Sequence, residues 1–255
     1  MKLYIIVPLV LVINFSVVYA YEPIPITLST TMDKVYFDGK WTFLTEWKQT
    51  SLNEYVYDNG KMTIVLRSAH QGDFVYIFID AITDYNLDKE LDSAIICFDS
   101  NNDKTEYSRD DDYCFMTILD GGMGVTYRGD PTIQNFTVIP NHDEYIGLST
   151  VSDNNDRYTP IPHPGFEFKI PTQVIGRNNI YGFYFSVYDD HSKKYYTYPQ
   201  NLTNTMINSP SLWGEIYSPD KSLPEFSLPI LLLLPALGLV LYLTRHKLDQ
   251  TLKMT

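Results

Sequence analysis

The sequence predicts an all-β fold: an antiparallel, jelly-roll-like β-sandwich over residues 21–218, followed by one C-terminal transmembrane helix. Three observations carry this expectation. Tyr occurs 21 times and Phe 13 times among many Val, Ile and Thr, while Ala and Leu away from the chain ends are too sparse for a helical bundle. Short apolar runs recur between turn signals, roughly ten in all, with no strand–helix alternation of the kind a parallel sheet needs. Two longer apolar runs stand outside this pattern, one at each end.

In chain order, YEPIPITLSTTM alternates Pro with aliphatic residues, the signature of an extended edge strand where a missing N–H is tolerated. Asp38-Gly39 marks a turn before Trp41 and Trp47, and the segment up to Tyr57 suits a short helical turn. Asp58-Asn59-Gly60 is a turn ahead of a half-buried strand in which Met62, Ile64 and Leu66 alternate with Thr63 and Arg67. FVYIFIDAI is apolar on both faces and belongs at a sheet centre. Gly121, Gly122 and Gly124 permit tight turns before the shorter strands MGVTYRG and TIQNFTVI. After YIGLSTVSD, the polar, proline-rich stretch DNNDRYTPIPHPG is a loop. FEFKI then turns Phe166, Phe168 and Ile170 inward and Glu167 and Lys169 outward. IYGFYFSVYDD and SLWGEIY complete the sandwich.

The most informative stretch is 92–118, two strands joined by an acidic loop. If Cys97 faces Cys114 in an antiparallel pair, the same register sets Asp99 opposite Asp112 and leaves 100–111 as the loop. Opposed non-hydrogen-bonded residues come close enough for a disulfide, and an exported chain favours one; two free buried thiols are the alternative. Asp99, Asn101 and Asp103 follow the D-x-N-x-D spacing of calcium loops, with Asp110, Asp111 and Asp112 nearby. Lys104 stands where an EF-hand requires Gly, so this is no EF-hand. Two readings stand, a sandwich loop collecting Ca²⁺ or a solvated polar loop, and Asp80 and Asp84, at the end of a neighbouring strand, are able to join either. No organic cofactor is expected.

Residues 1–20, with Lys2, an apolar run and Val-Tyr-Ala ending at Ala20, read as a cleaved export signal. After a spacer at 219–225, residues 226–244 carry no charge and are long enough to span a bilayer, and Arg245, His246 and Lys247 follow. Basic residues stay on the cytoplasmic side, so the sandwich lies outside the cell and 245–255 form a cytoplasmic tail. Omitting leader and tail removes four of 19 basic and one of 31 acidic residues, leaving a net charge of −15. That charge excludes nucleic acid and anionic lipid as ectodomain partners. Asn135-Phe136-Thr137 and Asn201-Leu202-Thr203 are N-glycosylation sequons.

DGKW with Trp47, FVYIFIDAI, DSAIICFDSNND, GFEFKIP, IYGFYFSVYDD and SLWGEI, in that order, resemble the family 9 carbohydrate-binding modules and their DOMON-like relatives. The resemblance covers most of residues 33–217. It implies a jelly-roll sandwich, and beyond that a sugar ligand and a structural calcium, or haem in one branch. Pro224-Glu225-Phe226 ahead of the apolar run, with basic residues after it, is similar to the C-terminal sorting signals of archaeal surface proteins.

A sugar site needs aromatic faces with amides and carboxylates beside them. Trp41, Tyr195, Tyr196 and Tyr198 are the best candidates for exposed faces, whereas Trp47 and Trp213 suit the core. For haem or copper, Met62, Met116, Met123 and His70 are the available soft ligands. The scattered His residues, and the lack of G-x-S-x-G, phosphate-binding glycine loops or cysteine–histidine signatures, argue against an enzyme. The expectation is a surface-anchored, non-catalytic binding module whose partner is an extracellular glycan. The alternatives are a structural or adhesive domain contacting an envelope protein, and a haem-binding electron-transfer domain.

Overall fold

A computed structural model describes residues 21–200, 202 and 207–219. The expected export leader at 1–20, the apolar run 226–244, the expected sorting motif, the tail 245–255 and Asn201 lie outside these residues. Among those described, no helix is long and apolar enough to cross a membrane.

The strands, numbered along the chain, form two sheets. The eight-stranded sheet runs β1 (Ile24–Pro25), β14 (Gly214–Tyr217), β12 (Ile180–Asp189), β6 (Ser93–Asp99), β7 (Asp112–Ile118), β8 (Val125–Asp130) and β9 (Asn135–Ile139). Its remaining strand, β13 (Lys194–Tyr198), pairs with the C-terminal half of β12. The six-stranded sheet runs β10 (Ile146–Val151), β11 (Pro164–Pro171), β5 (Phe74–Asp80), β4 (Met62–Gln71) and β2 (Thr27–Leu28), with β3 (Ser51–Tyr57) along the rest of β4. One short helix, α1 (Thr172–Ile175), follows β11.

Period-two alternation aims Ile64, Leu66, Ile77, Ile79, Phe166 and Phe168 from one sheet at Ile96, Phe98, Phe115, Phe183 and Phe185 from the other, and these form the main core. The two-sheet, almost helix-free architecture matches the expectation, as do the inward Phe166, Phe168 and Ile170 and the central place of β5. The predicted register is also found: Cys97 pairs with Cys114 and Asp99 with Asp112. The two cysteines are bridged, their Cα atoms 4.1 Å apart.

Four local expectations are corrected. In the segment up to Tyr57 the turns are confined to 44–49, and residues 51–57 form an edge strand, since Tyr55 and Tyr57 pack on the core while Leu52, Glu54 and Val56 face out. Lys194–Tyr198 is a strand and not a turn-rich loop, because β12 extends far enough to pair with it. The sheets are not wholly antiparallel: β1 pairs parallel with β14 and β2 parallel with β4. These two-residue edge pairings place Pro23 and Pro25 where a missing N–H costs little. Finally, β4 is buried on both faces from Met62 to His70. Residues 29–50 fold over its outer face, setting Met32, Trp41 and Trp47 on Ala69, Tyr76 and Phe78.

Candidate functional sites

The outward Glu167 is fully buried beneath that covering segment. It accepts hydrogen bonds from Asp38 N (2.9 Å), Gly39 N (2.8 Å) and Trp47 Nε1 (2.9 Å). Gly39 sits at φ +88°, and a Cβ there would meet the Ser149 and Thr150 backbone at 2.5–2.7 Å. Trp41 is likewise sealed in, its Nε1 donating to Phe43 O at 2.6 Å. The exposure expected of Trp41 is therefore not found, and it offers no face to a ligand.

At the β6–β7 end, Asp99, Asp103 and Asp111 present carboxylate oxygens within 4.8 Å of one another. Asp99 accepts from Asp103 N and Lys104 N at 3.2 and 3.0 Å, which curls the loop back on its own strand. Lys104 adopts φ 55°, the left-handed conformation that Gly would supply in an EF-hand. Its Nζ donates to Trp213 O (2.9 Å) and Gly214 O (2.7 Å), strapping the loop to β14, and burial lowers its pKa. Asp112 lies beside Asp99, with Oδ2 accepting from Arg109 N at 2.6 Å. Burial, and secondarily the Asp99 charge, pushes Asp112 up to about 8. Asp112 Oδ1 and Asp111 Oδ2 are buried without a hydrogen-bond partner.

Of the six residues expected to ligate a cation here, Asp99, Asp103 and Asp111 converge, while Asp112, Asp110 and Asn101 stand outside that trio. Asp110 is exposed and meets Arg128, whose Nε donates to its carbonyl at 2.6 Å. The Asn101 amide is exposed and engages Asp103 through both of its ends.

A second carboxylate cluster forms where β6 begins and β12 ends. Asp84, Asp92 and Asp189 converge within 4.8 Å, all at most 5% exposed. Asp92 accepts from Asp88 N (2.8 Å) and Asp190 N (2.9 Å), and Asp189 from Ser192 N (3.2 Å). Asp84 Oδ2 and Asp88 Oδ2 are buried with no partner. Burial, then the charges of Asp189 and Asp92, drives Asp84 up to about 7. Asp84 thus joins neither the acidic loop nor Asp80. Ligand sets made only of oxygen suit a hard cation such as Ca²⁺, and both clusters fit that requirement.

The remaining aromatic candidates gather where β13 runs past β3, with Tyr198 on Tyr55 (5.5 Å) and Tyr196 on Tyr57 (5.4 Å). A groove of about 910 Å³ is lined by Tyr21, Asn53, Glu54, Tyr55, Tyr198 and Gln200 among others. Its neighbour, about 330 Å³, is lined by Tyr57, Asp58, Tyr195 and Tyr196, and shares Gln200. Tyr196 and Tyr198 are 6% and 4% exposed, so both form walls rather than open platforms, contrary to expectation. The cause is strand pairing: Tyr198 packs on Phe185 (5.9 Å, 12°) and its OH donates to Glu22 O at 2.9 Å. Tyr195 is 43% exposed as expected, packed on Tyr188 at 4.6 Å. Asn53 lines the larger groove, and its Nδ2 is buried beneath that surface with no hydrogen-bond partner among the described residues.

The soft ligands do not converge. Met62 and His70 occupy opposite ends of β4, and Met123 is exposed. Asn135, at the start of β9, is exposed. Trp47 and Trp213 are buried as expected.

No family model matches the chain, and no curated protein matches it. In fold it is similar to a solved family 9 carbohydrate-binding module from Caldicellulosiruptor kristjanssonii in complex with glucose. The TM-score is 0.51 at 16% identity, over 77% of this chain and 95% of that one. A structure of such a module from the same organism in complex with cellotriose gives 0.50 at 17% identity, over 77% and 93%. At such identity the likeness shows the β-sandwich fold.

Proposed function

We propose that this chain is a non-catalytic glycan-binding module displayed outside the cell. The observation that carries the reading is the groove beside β3. Tyr21, Tyr55 and Tyr198 contribute apolar ring surface, while Asn53, Glu54 and Gln200 supply amide and carboxylate groups, the pairing that a pyranose requires. Among the described residues the Asn53 amide nitrogen has no acceptor, and a side-chain rotation toward the groove would offer it to a sugar hydroxyl. The similarity in fold to a module solved with glucose and with cellotriose supports the same reading.

Two calcium ions complete the proposal. Asp84, Asp92 and Asp189 would hold one, and Asp99, Asp103 and Asp111 the other, with Asp112 supporting from beside Asp99. Each ion would supply positive charge to carboxylates that outnumber their basic neighbours, Arg109 at 4.0 Å from Asp103 being the one ion pair of either trio among the described residues. The leader at 1–20 would direct export, and 226–244, cut by a sortase-like enzyme or left intact, would anchor the domain facing outward.

The test is to screen the full chain against soluble glycans, cello-oligosaccharides included, with Ca²⁺ and after chelation. Binding should weaken about tenfold in Asn53→Ala, the scale of one lost hydrogen bond. Tyr195→Ala, in the neighbouring groove, should change it less. Retention on no saccharide in either condition would overturn the reading in favour of an adhesive envelope domain.

A further inference from the structure

Asp80, at the end of β5, meets His163 and Asp156 of the proline-rich loop on the outer side of the six-stranded sheet. Their ligand atoms lie within 4.8 Å of one another, and all three side chains are fully buried. His163 Nε2 is 2.7 Å from Asp80 Oδ1 and 3.9 Å from Asp156 Oδ2. On its other side, Nδ1 is 2.7 Å from Ile161 O and 2.9 Å from Ser152 Oγ. A carbonyl oxygen only accepts, so Nδ1 carries the proton, and in neutral imidazole the Nε2 lone pair faces carboxylate oxygen.

A single proton between Nε2 and Asp80 would relieve that one contact. It would leave Asp80 Oδ2 and Asp156 Oδ2 as they stand, buried with no hydrogen-bond partner. Asp156 is held in this pose by its other oxygen, which accepts from Tyr158 N (2.7 Å) and Thr159 N (3.1 Å). The Arg67 guanidinium, on the same face of the sheet, is directed to Tyr158 OH and Thr50 O. A divalent cation would satisfy all three ligand atoms together.

We propose that Asp80, Asp156 and His163 bind a borderline divalent metal ion of the Zn²⁺ class, at a site independent of the two all-oxygen clusters. Imidazole with two carboxylates is a set that selects such an ion over Ca²⁺. Nδ1–H bonded to a backbone carbonyl is the arrangement that orients a ligating His and fixes its tautomer. Ligand atoms on a tetrahedral ion at about 2.05 Å lie roughly 3.3 Å apart, so a sub-ångström adjustment of the three side chains is enough. The ion would pin loop 152–163 to β5, over the same face as the Trp41 and Trp47 cover.

The full chain, stripped with chelator, is titrated with ZnCl₂ alone and with ZnCl₂ in a large excess of CaCl₂. One Zn²⁺ per chain that survives the excess, with a raised Tm, is expected. Co²⁺ in its place should give a visible absorption band. Asp156→Asn, a loop substitution, should weaken Zn²⁺ binding roughly 100-fold while leaving Ca²⁺ stoichiometry unchanged, and His163→Gln should do the same. The proposal is overturned if the folded chain takes up no Zn²⁺, if Ca²⁺ displaces it, or if Asp156→Asn binds it as the parent does. None of these results depends on glycan binding.

Discussion

Glu167 and the trio Asp84, Asp92 and Asp189 are similarly removed from water, yet they are supported in opposite ways. Glu167 receives three N–H donors and serves as a knot that ties the covering segment, through Asp38, Gly39 and Trp47, to β11. The aspartates receive fewer donors than they have oxygens, and Asp84 Oδ2 is left with none. Buried carboxylate becomes structural when the backbone supplies its donors, and a place for a cation when other carboxylates are its nearest company.

Removing calcium should separate the two most sharply. An ion present at about 100 times its Kd adds roughly 2.7 kcal/mol, so chelation should lower Tm by roughly 5–10 °C per site, read by calorimetry. Asp84→Asn should remove part of that response and Glu167→Gln none of it. An unchanged Tm in chelator would place the aspartate trio in the same class as Glu167.

Replacing both Cys97 and Cys114 with Ala should cost about 3 kcal/mol in denaturant unfolding, the entropic worth of a loop of this length. It should weaken Ca²⁺ at the Asp99 end more than at the Asp84 end, since the bridge lies two residues from Asp99. Equal weakening at both ends would mean that the staple does not preorganise the loop. Glu167→Gln should cost about 1–3 kcal/mol, because the neutral acid's hydroxyl can rotate its proton away and still accept, whereas an amide nitrogen cannot accept from the N–H donor it would face.

The smallest effect concerns pH. Burial raises the Glu167 carboxyl from its usual 4.5 to about 8, against the pull of its donors. Its contribution to stability is then complete below pH 4.5 and is lost as the pH rises through 8. In chelator, Tm should decline over that window, and Glu167→Gln should flatten the decline. A slope unchanged by the substitution would assign it to other groups.

Much of the fold was legible because strands report themselves locally. Alternation in FEFKI and FVYIFIDAI follows from the two-residue pleat, and the Cys97–Cys114 and Asp99–Asp112 pairs follow from a single hairpin register. β3 was missed because its inward face carries Ser51 and Asn53 while Leu52 and Val56 point outward, the reverse of the usual pattern. Tyr196 and Tyr198 sit among polar residues that suggested an exposed turn, and only pairing with β12 buries them.

By itself the sequence determined the all-β class, a register that would oppose the two cysteines and the crowding of acids at one hairpin, all consequences of neighbours along one or two adjoining strands. Tertiary structure alone decided that Trp41 is covered, and that Asp84 meets Asp189 and Asp80 meets His163. Each of those meetings joins segments distant in the chain. Local backbone geometry carries no information about such pairs until the sheets stack and the loops close over them.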